Sequence, residues 1–126
     1  MYNQELVKEI LNQILISTER ILRRMRPIKT SDDFLKNERS LEKLDSICMQ
    51  LIALGESIKN LDKITNKSLL KNYPDFEWVK AMGMRDILSH HYFDINNEIV
   101  FDVCVNEMPK LKKTVKRILK LTNYTN

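Results

Sequence analysis

Apolar residues recur along most of this chain at alternating spacings of three and four, the rhythm of helices buried on one side. Between residues 3 and 25 the series is Val7, Leu11, Ile14, Thr18, Ile21 and Met25, widened by Ile10, Leu15 and Leu22. Pro27 stops that helix, and Thr30, Ser31, Asp32 and Asp33 supply N-cap oxygens for the next element. A second, long helix is predicted over residues 33–61, carrying Leu41, Leu44, Cys48, Leu51, Gly55 and Ile58 with Ile47, Leu54 and Leu61 beside them. Gly55 falls on the apolar face. A glycine there weakens the helix by about 1 kcal/mol relative to alanine, so its place in the stripe predicts a close approach by another helix.

A polar break at Asp62, Lys63, Thr65, Asn66 and Lys67 leads to a short helical turn and then to "NYPDFEW". Pro74 holds Tyr73 extended and, with Asp75, starts a third major helix predicted over residues 75–90. "FDINNE" reads as a loop, with Asn96 or Asn97 capping the last helix. Over residues 98–121 the three-four series Phe101, Cys104, Met108, Leu111, Val115 and Ile118 outweighs the β propensity of "IVFDVCV" and predicts a helix, which Pro109 should bend or rob of one backbone bond. Four long amphipathic helices plus a short one, joined by short connections, imply an all-α antiparallel bundle in a single domain spanning residues 1–126.

Composition agrees with that pattern. Among 126 residues there are 2 glycines and 3 prolines, too few for a protein built on turns and sheets. The net charge of +4 is a modest basic excess that permits nucleic-acid contact without requiring it. Lys110, Lys113, Arg117 and Lys120 line one face of the last helix, as a solvated surface or as a phosphate contact. Cys48 and Cys104 lie in apolar stripes without metal-ligand spacing and read as small buried hydrophobes in a reducing compartment. No apolar run approaches the roughly 20 residues that span a bilayer, and the charged, amphipathic N-terminus does not read as a signal peptide. The expectation is a cytoplasmic protein with no membrane contact, no metal site and no cofactor.

The chemistry concentrates in "MRDILSHHYFD", residues 84–94, which holds both histidines of the chain. On a continuous helix Asp86 and His90, four apart, would stack on one face, the carboxylate orienting the imidazole and raising its pKa. Arg85 would project from an adjacent face. A guanidinium near a titratable imidazole suits a phosphodiester, the first neutralising charge on the phosphoryl oxygens and the second moving protons. No metal is needed if the substrate brings its own nucleophile, as RNA does in its 2′-hydroxyl; DNA would resist. The structural alternative is a histidine satisfied by a helix C-terminus and an arginine in a surface pair. One Arg–His pair is a small catalytic inventory, so this reading needs a dimer with two copies across a shared cleft.

The segment "WVKAMGMRDILSHHYFDIN" resembles the signature of the HepT-like branch of HEPN proteins, the helical toxins paired with minimal nucleotidyltransferases: an arginine, four residues, a histidine, one residue and a tyrosine, here Arg85, His90 and Tyr92. Trp78, Gly83, Met84, Phe93 and Asp94 match as well, and so does "QLIALGESIK" with Gly55 and Glu56. The resemblance runs from residue 3 to about 121. It implies a HEPN four-helix bundle with a short extra helix, assembled as a homodimer, that cuts tRNA or mRNA without a metal and belongs to a toxin–antitoxin pair. In that frame Arg85 and His90 are catalytic and Asp86 supports them. Tyr92 is the residue to which a cognate nucleotidyltransferase antitoxin adds AMP, silencing the toxin. His91 fills the variable position and leaves open which imidazole acts, with His90 at the family spacing. Two rivals stand beside this reading: a catalytically inactive HEPN module that binds a nucleotide or a partner, and a purely structural helical partner.

Overall fold

The computed structural model describes residues 3–91 and 94–124, with the side chains of His90, His91, Asn123 and Tyr124 outside the description. Helices dominate. α1 (Gln4–Arg24) starts at Asn3, whose side chain accepts from the Leu6 amide, and packs against both α2 (Glu38–Ile64) and α6 (Met108–Tyr124). Its predicted stripe is the buried one: Val7, Leu11, Ile14, Thr18 and Ile21. Thr18 can sit among apolar neighbours because its hydroxyl donates to the Ile14 carbonyl at 2.7 Å, and Thr65, Thr114 and Thr122 back-bond to their i−4 carbonyls in the same way.

Two boundaries around α2 differ from expectation. The helix begins at Glu38, capped by Asn37, because residues Ser31–Leu35 form a separate 3₁₀ turn that drives Phe34 fully into the core. The Asp33 carboxylate closes that turn, paired with Lys36 at 2.8 Å and accepting the amides of Lys29 and Thr30 at 2.7 and 3.0 Å. At the other end the polar residues Asp62 and Lys63 remain helical. The helix ends in a Schellman arrangement, Asn66 N–H to the Lys63 carbonyl at 3.1 Å and Lys67 N–H to the Asp62 carbonyl at 2.8 Å. Asn66 and Lys67 have φ of 54° and 60°, and among the described residues no other non-glycine has positive φ. Left-handed backbone costs a side-chain-bearing residue about 1 kcal/mol.

The third helix is not continuous. A 3₁₀ turn (Leu70–Asn72) and the Pro74 turn precede two five-residue helices, α3 (Trp78–Met82) and α4 (Met84–Leu88), broken at Gly83. From Ser89 the backbone is extended: β1 (Ser89–His91) pairs antiparallel with β2 (Asp94–Ile95), Ser89 opposite Ile95 and His91 opposite Asp94. The bundle is thus mostly helical with one short hairpin, and part of the expected "FDINNE" loop is strand. Asn96 does cap α5 (Asn97–Asp102), accepting from the Ile99 amide, while the Asn97 side chain donates to the Ser31 carbonyl at 3.0 Å.

Pro109 acts one turn ahead of itself. Residues Val103–Glu107 form a π turn in which Met108 N–H reaches the Val103 carbonyl. A proline at 109 cannot donate to the Val105 carbonyl and crowds it, and the widened turn relieves that crowding. Cys48 and Cys104 are buried, and burial pushes the Cys104 thiol up to about 12, so both serve as apolar packing. No helix among the described residues is long and apolar enough to cross a membrane.

Gly55 is where α2 meets the site-bearing segment. A Cβ built there would lie 2.5 Å from the Ala81 carbonyl oxygen and 3.2 Å from the Met84 Cβ. Gly55→Ala should therefore destabilise the protein by about 1–2 kcal/mol despite alanine's better helix propensity, read as a lower midpoint in urea. A second expectation concerns acid. The Lys36 ammonium, then the two amides, hold the Asp33 carboxyl well below its ordinary value of 3.8. A depressed folded-state pKa gives stability that is complete above the unfolded value and lost as pH falls through the folded one. The stability difference between wild type and Asp33→Asn should hold from pH 7 to about 4 and shrink only below that, as urea titrations at each pH would show.

Candidate active site

α4 sorts its residues by helical period. Met84 and Leu88, four apart, are buried at 5% and 0% exposure, which turns Arg85 and Asp86 outward, where both are exposed. Neither side chain forms an ion pair with any described residue, so the alternative of a surface Arg–Asp pair is not realised. Arg85 is exposed on a short helix, with no ion pair to any described residue.

The helical stacking expected between Asp86 and His90 is overturned. Leu88 is the last helical residue, Ser89 has φ −146° and ψ 142°, and its amide returns to the Arg85 carbonyl. The reason is the hairpin: β1 takes its backbone bonds from β2, and the Asn96 amide donates to the Leu88 carbonyl at 2.9 Å, closing α4 there. An i, i+4 relation across a helix end that opens into a strand has no helical meaning. The backbone still places His90 two residues beyond α4 and five beyond Arg85. Its side chain, like that of His91, is outside the described residues, and Tyr92 lies outside them altogether.

The approach to α4 is braced from α6. Arg117 makes a bidentate pair with Asp75, at 3.1 and 3.2 Å, and lies over the Tyr73 ring at 5.3 Å. The Arg117 hydrogen bond to Asp75, reinforced by the charge, lowers the carboxyl pKa and raises that of the guanidinium. Trp78 Nε1 donates to the Tyr73 carbonyl at 2.8 Å, and its ring meets Phe76 edge-on at 4.7 Å. Behind α4 a cleft of about 50 Å³ opens between Met84 and Ile87 on one side and Val103 of the π turn on the other. That cleft depends on the π turn, which the periodicity did not reveal; Pro109 was its signal.

Residues 14–118 match the family profile described as "Ribonuclease HepT-like". The chain belongs to the HepT-like ribonuclease family. Curated relatives agree in kind. A Methanocaldococcus jannaschii protein named "putative RNase" is 34% identical over 91 residues, 72% of this HepT-like chain and 69% of that protein. A "putative RNase" of Caldanaerobacter subterraneus subsp. tengcongensis is 32% identical over 110 residues, 87% and 91% of the two. A longer M. jannaschii protein, named "gamma-glutamylcyclotransferase and putative RNase", is 32% identical over 114 residues, 90% of this chain but 48% of its own length. No solved structure matches the chain at a significant level.

Because the exposed side chains of Arg85 and Asp86 in this HepT-like domain form no ion pair with a described residue, Arg85→Ala and Asp86→Ala should leave unfolding free energy within about 0.5 kcal/mol of wild type. Thermal melts of the two variants check this, and equal melts make any loss of activity a statement about chemistry.

Proposed function

We propose that this chain is a metal-independent endoribonuclease of toxin type, active as a homodimer on tRNA or mRNA through Arg85 and His90. The observation that carries the reading is an exposed Arg85, without an ion pair among the described residues, on a helix that runs directly into the His90 segment, inside the region matched by a ribonuclease family. The chemistry is a transesterification. An imidazole takes the proton of the RNA 2′-hydroxyl, whose oxygen attacks the adjacent phosphorus. The bond from phosphorus to the 5′-oxygen breaks, and that oxygen leaves with a proton from the imidazolium of the second copy. The products are a 2′,3′-cyclic phosphate and a 5′-hydroxyl. Arg85 stabilises the charge gathering on the non-bridging oxygens, and Asp86 supports it as a neighbouring polar group.

Tyr92 is the proposed AMP acceptor for a cognate nucleotidyltransferase antitoxin. One residue past His91, a bulky anionic adduct would block RNA by size and charge together. A second reading, a HEPN module that binds a nucleotide or a partner without cleaving, is favoured by one observation: α4 ends before His90, so Asp86 has no helical hold on the imidazole.

Purified protein incubated with total tRNA in EDTA should yield fragments ending in cyclic phosphate. Arg85→Ala and His90→Ala should each slow cleavage by about a hundredfold or more. Cutting by either variant at the wild-type rate removes that residue from the mechanism, and no cutting by wild type leaves the binding module. Co-expression with the nucleotidyltransferase should add AMP mass to the wild type and none to Tyr92→Phe.

A further inference from the structure

Of the six cations on α6, three are paired: Arg117 with Asp75, Lys110 with Glu107 at 3.6 Å, and Lys112 with Glu19 at 3.6 Å. At the end of α2, by contrast, Lys59, Lys63 and Lys67 are exposed and form no ion pair with any described residue. Lys59 and Lys63, four apart on α2, stand about 6 Å apart along the helix axis, and Lys67 follows three residues past the end of α2, in the left-handed turn that closes it. All three line one groove of about 750 Å³, whose opposite wall is Val79 and Met82 of α3. Val79 is 83% exposed, more than any other large apolar side chain among the described residues.

Lys67 sharpens the point. It stands at φ 60°, a backbone position where glycine would fold better, yet a lysine lines the groove there, with no ion pair to any described residue. Arg85 follows Met82 of the groove wall by three residues, across the Gly83 break between α3 and α4.

We propose that this groove is the track along which a single RNA strand reaches Arg85, with Lys59, Lys63 and Lys67 holding successive phosphates and Val79 and Met82 receiving the face of a ribose or base. It rests on the ribonuclease reading for its substrate. Three cations lining one groove beside an apolar wall match a strand that is anionic on one edge and apolar on its base faces. Asp62 is the single carboxylate in the groove, and it opposes the same ligand.

The test separates binding from cleavage. A labelled 2′-O-methyl oligoribonucleotide lacks the nucleophilic hydroxyl, so its affinity for the full-length protein can be titrated against salt without turnover. The triple variant Lys59→Gln, Lys63→Gln, Lys67→Gly should bind at least about tenfold more weakly at 0.1 M salt, and its log–log salt slope should be shallower by about 2, as loss of three single-strand phosphate contacts requires. Lys67→Gly alone should weaken binding while melting no lower than wild type, which rules out misfolding as the cause. Asp62→Asn should bind several-fold more tightly, a gain that no structural role for Asp62 predicts. With cleavable RNA the triple variant should raise KM while kcat stays within about twofold. Unchanged affinity and salt slope in the triple variant overturn the track and turn the groove toward a protein partner. If wild type binds the 2′-O-methyl strand through these lysines but cuts no RNA, the track stands and the nuclease reading falls.

Discussion

The close approach of α2 to the segment carrying Arg85 depends on one missing side chain. Gly55 lets the Ala81 carbonyl and Met84 sit against the α2 backbone at a distance that any Cβ would forbid. α3 and α4 are five residues each, far shorter than a helix that stands alone in water. They persist because Trp78, Ala81, Met84 and Leu88 are buried against the long helices, and Gly55 sets how deep that burial goes. Once Met84 and Leu88 are seated, helical geometry leaves Arg85 and Asp86 no choice but the solvent side.

Around that seat the polar contacts hold the chain ends of each short element. Tyr73 is tied to Trp78 through its carbonyl and to α6 through the Arg117 guanidinium, so the Pro74 turn enters α3 in a defined direction. On the far side the hairpin closes α4, and Asn97 links α5 to the Ser31 turn. The catalytic proposal draws on this arrangement: hydrogen-bonded elements flank a short helix on which Arg85 is exposed.

Charge is partitioned in the same spirit. Two of the four cations in the candidate phosphate stripe of α6 pair within the protein, Arg117 with Asp75 and Lys110 with Glu107, while Lys59, Lys63 and Lys67 form no ion pair with a described residue. A net charge of +4 says little about partners, but the location of the unpaired part of it says more.

The long helices were legible in the chain alone, because their three-four stripes are local, although Leu41 of the α2 stripe is exposed. So were the Gly55 contact, a cap at Asn96 or Asn97, the Arg85–His90–Tyr92 pattern and the family to which the chain belongs. Where α4 stops was not legible there. Residues 84–90 read equally well as the end of a helix, and the break at Leu88 exists only because β2 and Asn96 claim the backbone bonds that a further turn would have used. The π turn before Pro109 and the pairing of Arg117 with Asp75 were likewise decided in three dimensions. Which carbonyl is free, and which ammonium has a carboxylate within reach, depends on residues far apart in the chain and close only after folding.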